Sequence, residues 1–298
     1  MMQTFQATKV LAALSLLLAI VIWAAVPSVA KVALAYVTPA QYMVLRYLLA
    51  GLIFIPFFGK VLAGFKRLPK RDWGWLIGSS CLLIYAQVWT LQQVSASWYI
   101  VVFSCCPVLI ALLLRYRFNL KSIAGLVVTV AGLALYLLDS HQHQSPFSFI
   151  AMCGVVASML AWVAYSVVIT RFHRVYDDMQ LTAVCSYISI LFALVLYISD
   201  GNWAPPADLS WSVTAVIVLS GALMPLGLLC YSYAMRQAQT LTIFGQYLEP
   251  PIGLLIAFMV FGTGMTLTAT ASVVCIIAGT FALTHFSVKP PSPSGDPA

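Results

Sequence analysis

Charge is what this sequence has least of. Asp, Glu, Lys and Arg together make up 8% of its 298 residues, against roughly 25% in soluble domains, which excludes an ordinary water-facing globular enzyme. Acids are scarcer than bases, and only Glu249 falls inside a long apolar run. Cys81, Cys105, Cys106, Cys153, Cys185, Cys230 and Cys275 all sit in apolar spans without a C-x-x-C spacing, so neither a disulfide framework nor a zinc site is indicated. His141 and His143 read as a solvated loop rather than metal ligands. No phosphate-binding glycine loop and no Ser/His/Asp arrangement is present, which disfavours ATP hydrolysis within the chain and most enzyme chemistry. No metal or cofactor is expected.

What the chain does have is apolar length. Hydrophobic residues are 62% and mean hydropathy is +0.97, the signature of an all-α polytopic membrane protein. At about 20 residues per span, ten transmembrane helices fit, near 10–35, 39–58, 73–92, 95–114, 122–138, 149–170, 181–198, 211–235, 240–261 and 267–286. The first run ends in a small-x-small pattern like a secretory signal but is too long for one, so it reads as a helix. With both termini inside, thirteen bases fall on the cytoplasmic side: Lys9, Lys60, Lys66, Arg67, Lys70, Arg71, Arg115, Arg117, Lys121, Arg171, Arg174, Arg236 and Lys289. Positive-inside topology therefore accounts for the net charge of +7 better than nucleic-acid binding does. Residues 287–298 lack apolar periodicity and read as a disordered cytoplasmic tail.

Residues 240–261 are interrupted near their middle by Gln246, Glu249, Pro250 and Pro251. A carboxylate facing lipid costs at least about 2.5–3.5 kcal/mol, so Glu249 is expected to face a cavity or a partner. The prolines lack N–H donors and free carbonyls one turn earlier. A shift of 144 places Gln93 on Gln237 and Pro107 on Pro251, and a shift of 147 places Ala124-Gly125 and Ala131-Gly132 on Ala271-Ser272 and Ala278-Gly279. Near 139, Trp23 meets Trp162. The common order divides the chain into halves at 1–138 and 149–286. Because five is odd, the fold class is two inverted five-helix repeats, with a site near the midplane. Thr242, Gln246, Glu249 and Gly253 share one helical face, and the shift maps it onto Trp98, Val102, Cys105 and Leu109. Both faces should meet one cavity.

Trp23 with Lys31, Thr38-Pro39 leading to Leu45-Arg46-Tyr47, Ser95-Ala96-Ser97 with Pro107, and Leu248-Glu249-Pro250 resemble the EamA branch of the drug/metabolite transporter superfamily over about residues 10–286. Many relatives end the fourth and ninth helices with an acid. Here those places read Leu114-Arg115-Tyr116 and Phe261-Gly262-Thr263-Gly264, so that role does not carry over. The resemblance implies export of small metabolites, with amino acids a common substrate class.

The candidate substrate-binding residues are Glu249, Gln246, Trp98, Trp162, Tyr85, Gln87, Tyr165, Tyr231 and Arg46. Glu249 suits a substrate amine or a coupling proton, against a structural carboxyl hydrogen-bonded to a neighbouring helix. Arg46 suits a carboxylate or an outer gate, against snorkelling. Trp98 and Trp162 suit an aromatic wall, against an interfacial belt. Gly125, Gly132 and Gly279 allow close helix approach, inside a monomer or at a homodimer seam. The expectation is a secondary transporter of the bacterial inner membrane exporting amino acids or related amphipathic compounds by alternating access, with protons as a candidate coupling ion. The alternatives are an importer or facilitator, and a membrane-embedded lipid-modifying enzyme.

Overall fold

Hydrocarbon offers no hydrogen bonds, so apolar runs of this length close their backbone bonds within helices. The computed structural model describes residues 2–94, 99, 102–140, 149–201, 210–261 and 266–288. Trp98, His141, His143 and residues 289–298 lie outside them, whereas Val288, expected in the disordered tail, pairs with Arg117 through two backbone hydrogen bonds. Within the described residues the chain forms α1 (Met2–Leu34), α2 (Pro39–Ile53), α3 (Phe58–Phe65), α4 (Lys70–Leu91), α5 (Cys106–Leu113) and α6 (Leu120–Ser140). The second half adds α7 (Phe149–Phe172), α8 (Asp178–Asp200), α9 (Trp211–Gln237), α10 (Gln239–Gly245), α11 (Glu249–Phe261) and α12 (Leu267–Phe286).

Seven helices are long and apolar enough to cross a membrane, and a bent pair, Pro39–Ile53 with Ile55–Phe65, makes an eighth candidate. The described residues thus establish an all-helical membrane fold without establishing ten spans. Proline is the main reason. The 56° bend of the second span falls at Pro56, whose ring cannot continue the hydrogen-bond ladder. The segment beyond it, expected as a loop, is helix α3, with Val61 and Gly64 buried. In the ninth span, Pro250 and Pro251 open α11, and a 3₁₀ turn, Gln246–Leu248, separates it from α10. There the Glu249 N–H bonds the Gln246 carbonyl.

Local caps set the other boundaries. Thr38 Oγ1 accepts from Gln41 N while Gln41 Oε1 accepts from Thr38 N, and Pro39 starts α2, which satisfies orphan donors where water is scarce. Asp177 and Gln180 form the same box at α8. Gly201 ends that helix at φ 67°, a left-handed conformation that suits glycine.

The halves pack across one another. α1 lies on α9, α4 on α7, α2 on α8, and α6 on α12. In addition α11 meets α1 as α5 meets α7. Exchanging the first five predicted spans with the second five maps this set of pairs onto itself, as two symmetry-related halves require. The α6–α12 seam is a close approach: a Cβ on Gly279 would lie 2.5 Å from the Gly125 carbonyl oxygen and 2.2 Å from Thr129 Oγ1. Ser272 Oγ also donates to the Gly132 carbonyl across this seam at 2.8 Å.

Charges gather at the end carrying the basic loops. Arg171 pairs with Asp72 and Arg236 with Asp178, each at 2.5 Å. Ser232 Oγ donates to Asp178 Oδ1 and lies 2.8 Å from His173 Nε2. Burial and then the Arg236 charge push His173 down from 6.5 to about 4, outweighing Asp178 at 3.8 Å.

Two outcomes follow from this packing. Gly279→Leu forces α6 and α12 apart and should lower the thermal unfolding midpoint in detergent far more than Gly78→Leu, which meets open space. For His173, the unfolded chain takes up a proton that the folded protein resists, so stability is full above about pH 6.5. It should decline toward pH 4, by up to roughly 3 kcal/mol. His173→Gln should flatten that decline in unfolding scans, and an equally steep loss in the variant would assign it to other groups.

Candidate functional site

Six helices, α1, α2, α4, α7, α8 and α9, and the ninth-span break converge at mid-bundle. On α4, Ser80, Leu83, Ile84 and Gln87 follow i, i+3, i+4, i+7 spacing and present one face. α1 supplies Trp23, α2 supplies Tyr47, α7 supplies Trp162 and α9 supplies Met224. These residues enclose a cavity of two lobes that share Trp23, Tyr47, Leu83, Ile84, Trp162 and Met224.

The first lobe adds Gln87, Tyr99, Phe103, Gln246 and Glu249. Gln246 is held on three sides. Trp162 Nε1 donates to its Oε1 at 2.8 Å, and its Nε2 donates to the carbonyls of Thr242 and Ile243 at 3.4 and 3.2 Å. Tyr99 Oη and Ser158 Oγ are 2.7 Å apart. Among the described residues no hydrogen bond or ion pair reaches the Glu249 carboxylate, which is half-buried on the lobe wall. A carboxylate in such an apolar enclosure is accommodated protonated or against a cationic group.

The second lobe adds Ser80, Tyr165, Cys185, Ser186, Ser189, Pro225 and Leu228. Trp162 stands between the lobes. Its ring is 5.1 Å from Trp23, 5.2 Å from Tyr165 and 5.1 Å from Tyr231, within the range of favourable aromatic pairing. It lies midway along α7 and is buried, so a lipid-facing belt role does not describe it.

The structure brings together Glu249, Gln246, Trp162, Gln87 and Tyr165. Tyr231 backs Trp162 and donates to Ser166 Oγ at 3.0 Å without lining either lobe. Tyr85 lies elsewhere: it is 45% exposed, because two residues from Gln87 is about 200° around a helix. Arg46 is 1% exposed, and its guanidinium lies 5.6 Å from the Tyr42 ring and 5.4 Å from the Tyr47 ring. Its Nε and Nη2 have no hydrogen-bond partner among the described residues. It neither snorkels nor lines the cavity, being separated from it by Tyr47. Trp98 is outside the described residues.

The expected face of the fourth span is also corrected. Tyr99 and Phe103 line the cavity, whereas Cys105 is exposed and Val102 and Leu109 pack against the core. Sequence reasoning passed over Ser80, Cys185, Ser186 and Ser189 as site residues. Stepping one helical face from Gln87 finds Ser80, Leu83 and Ile84; the residues of α8 carry no signal beyond small polar side chains at helical spacing. Among the described residues no cluster of three His, Cys, Asp or Glu could hold a metal.

The described residues define a helical membrane protein with a central cavity built from both halves, and the comparisons give its family. The model for the EamA-like transporter family matches residues 10–138 and again 149–284. The chain therefore belongs to that family, whose members are membrane transporters, with one copy of the domain in each half. A chain known from a crystal structure aligns with a TM-score of 0.68 at 20% identity, over 91% of this chain and 95% of that one, a likeness of fold. No curated protein matches the sequence.

The Trp162–Gln246 bond gives a direct test of the site's construction. Trp162→Phe and Gln246→Leu should each lower the unfolding midpoint, and the double variant should lose less than the sum by about 0.5–1.5 kcal/mol. Strict additivity would show that the bond contributes nothing.

Proposed function

We propose that the protein is a secondary transporter of the bacterial inner membrane, with both termini cytoplasmic, that exports small amphipathic metabolites such as amino acids by alternating access. The observation that carries this reading is Glu249: one carboxylate, without a hydrogen-bond or ion-pair partner among the described residues, on the wall of an otherwise largely apolar cavity. A stable structural carboxyl would be hydrogen-bonded to a neighbour. Glu249 instead offers the cavity an acceptor for a substrate ammonium, and between substrates for a coupling proton.

The other wall groups fit an amphipathic solute. Trp23 and Trp162 provide apolar surface and ring faces for a cation, while Gln246 and Gln87 supply oriented amide groups. The break at Gln246–Leu248 places Glu249 where a 3₁₀ turn meets a helix, a junction that suits a segment that changes conformation. Arg46, behind Tyr47, contributes positive potential to the same region and stands as a candidate for drawing in a carboxylate. Import or facilitated diffusion would use the same cavity. Within the described cavity, Glu249 is the one Asp or Glu, which disfavours acid/base chemistry on lipids, where at least two ionisable groups are needed.

Purified protein in liposomes loaded with candidate amino acids should catalyse counterflow, accelerated by an imposed pH gradient. Glu249→Gln should abolish the proton-dependent component while the protein still inserts and folds. Absence of counterflow for every solute tried would sink the transporter reading, and wild-type flux in Glu249→Gln would return Glu249 to a structural role.

A further inference from the structure

The second lobe of the cavity differs chemically from the first. None of its lining residues is Asp, Glu, Lys, Arg or His, yet four carry hydroxyl groups or a thiol on its α4 and α8 walls: Ser80, Cys185, Ser186 and Ser189. Their hydrogen bonds divide them into two kinds. Ser186 Oγ donates to the Thr182 carbonyl at 2.9 Å and Ser189 Oγ to the Cys185 carbonyl at 2.7 Å. Each has spent its proton on its own helix and offers the lobe acceptor lone pairs alone. Cys185 Sγ is occupied by Tyr165 Oη at 3.4 Å.

Ser80 is the exception. It is 5% exposed, and its Oγ has no partner among the described residues. Its neighbour Ser79 donates to the Leu76 carbonyl at 3.2 Å, the same back-bond that Ser80 does not make to its own preceding turn. A buried hydroxyl left unpaired is unfavourable, and the lobe that Ser80 lines is where a group able to complete it can enter.

We infer that this lobe is the subsite for the distal end of the substrate, and that Ser80 with Ser186 and Ser189 makes it select an uncharged group that both donates and accepts hydrogen bonds, such as a hydroxyl. This rests on the transporter reading above and narrows its substrate class. A hydroxyl entering the lobe accepts from Ser80 Oγ and donates to Ser186 or Ser189 Oγ. A second ionised group would find no countercharge on these walls, and a bare hydrocarbon would leave Ser80 unpaired. With Glu249 in the neighbouring lobe, the solute that satisfies both ends has an amine, an apolar body against Trp23 and Trp162, and a neutral hydroxyl.

Tyramine and phenethylamine share an amine and an apolar body and differ by one hydroxyl. Titrated calorimetrically into the full-length protein in lipid nanodiscs, tyramine should bind about ten-fold more tightly. Ser80→Ala should bring that ratio to within about two-fold of unity, and Ser186→Ala with Ser189→Ala should reduce it in the same direction. Glu249→Gln should weaken both amines together. Equal affinities in the wild type, binding of neither amine, or a preference that survives Ser80→Ala and the double serine variant would each overturn the subsite. A hydroxyl preference with no counterflow in liposomes would instead overturn the transport reading and leave the subsite standing.

Discussion

Inside a bilayer a polar group has no water to turn to, so a hydroxyl, amide or charge that is neither completed by protein nor open to a cavity is costly. Much of the structure follows from that constraint. Thr90, Thr129, Thr182, Ser186, Ser189 and Thr242 each donate to a carbonyl four residues earlier. Gln246 likewise reaches back, its Nε2 donating to the Thr242 and Ile243 carbonyls of its own preceding turn, while its Oε1 accepts from Trp162 across the bundle. Among the described residues, groups left incomplete are few, and two that bear on the site, Glu249 and Ser80, stand on opposite lobes of one cavity.

The aromatic core gives the cavity its shape. Trp162 contacts Trp23 from the other half of the chain at 5.1 Å, so the central wall exists only when the halves are packed. The crossing pattern of helices, with α1 on α9 and α4 on α7, brings Trp23 and Trp162 to mid-bundle from two symmetry-related positions. Proline interrupts the ninth span beside them, and the resulting 3₁₀ turn aims Glu249 and Gln246 at the same space. The ion pairs and His173 sit apart from this, at the end where the basic loops gather, and bind α4, α7, α8 and α9 to one another there.

How far the site was legible depends on which residues are considered. Glu249 and Gln246 were visible because polarity inside an apolar span is expensive and therefore informative. Trp162 was visible through its repeat partner Trp23. Tyr85 and Gln87 looked equivalent in sequence, and only the rotation of α4 separates them, turning Gln87 to the cavity and Tyr85 outward. The repeat misled at the fourth span: copying the ninth-span face forward points to Val102 and Cys105, while the packed structure presents Tyr99 and Phe103. Pseudo-symmetry constrains which helices meet more tightly than it constrains which side chains do, because each helix can rotate to fit its own neighbours.

The sequence by itself determined the membrane class, the all-helical fold and the two halves. Composition and span length decide those through the cost of putting charge and unpaired backbone in hydrocarbon, a cost that does not depend on how helices pack. The tertiary structure alone decided that the cavity has two lobes, that Arg46 lies behind Tyr47 rather than on the wall, and that Ser80 is unpaired while Ser79 is not. Those outcomes turn on helix rotation and on hydrogen bonds between residues distant in the chain, which apolar periodicity does not encode.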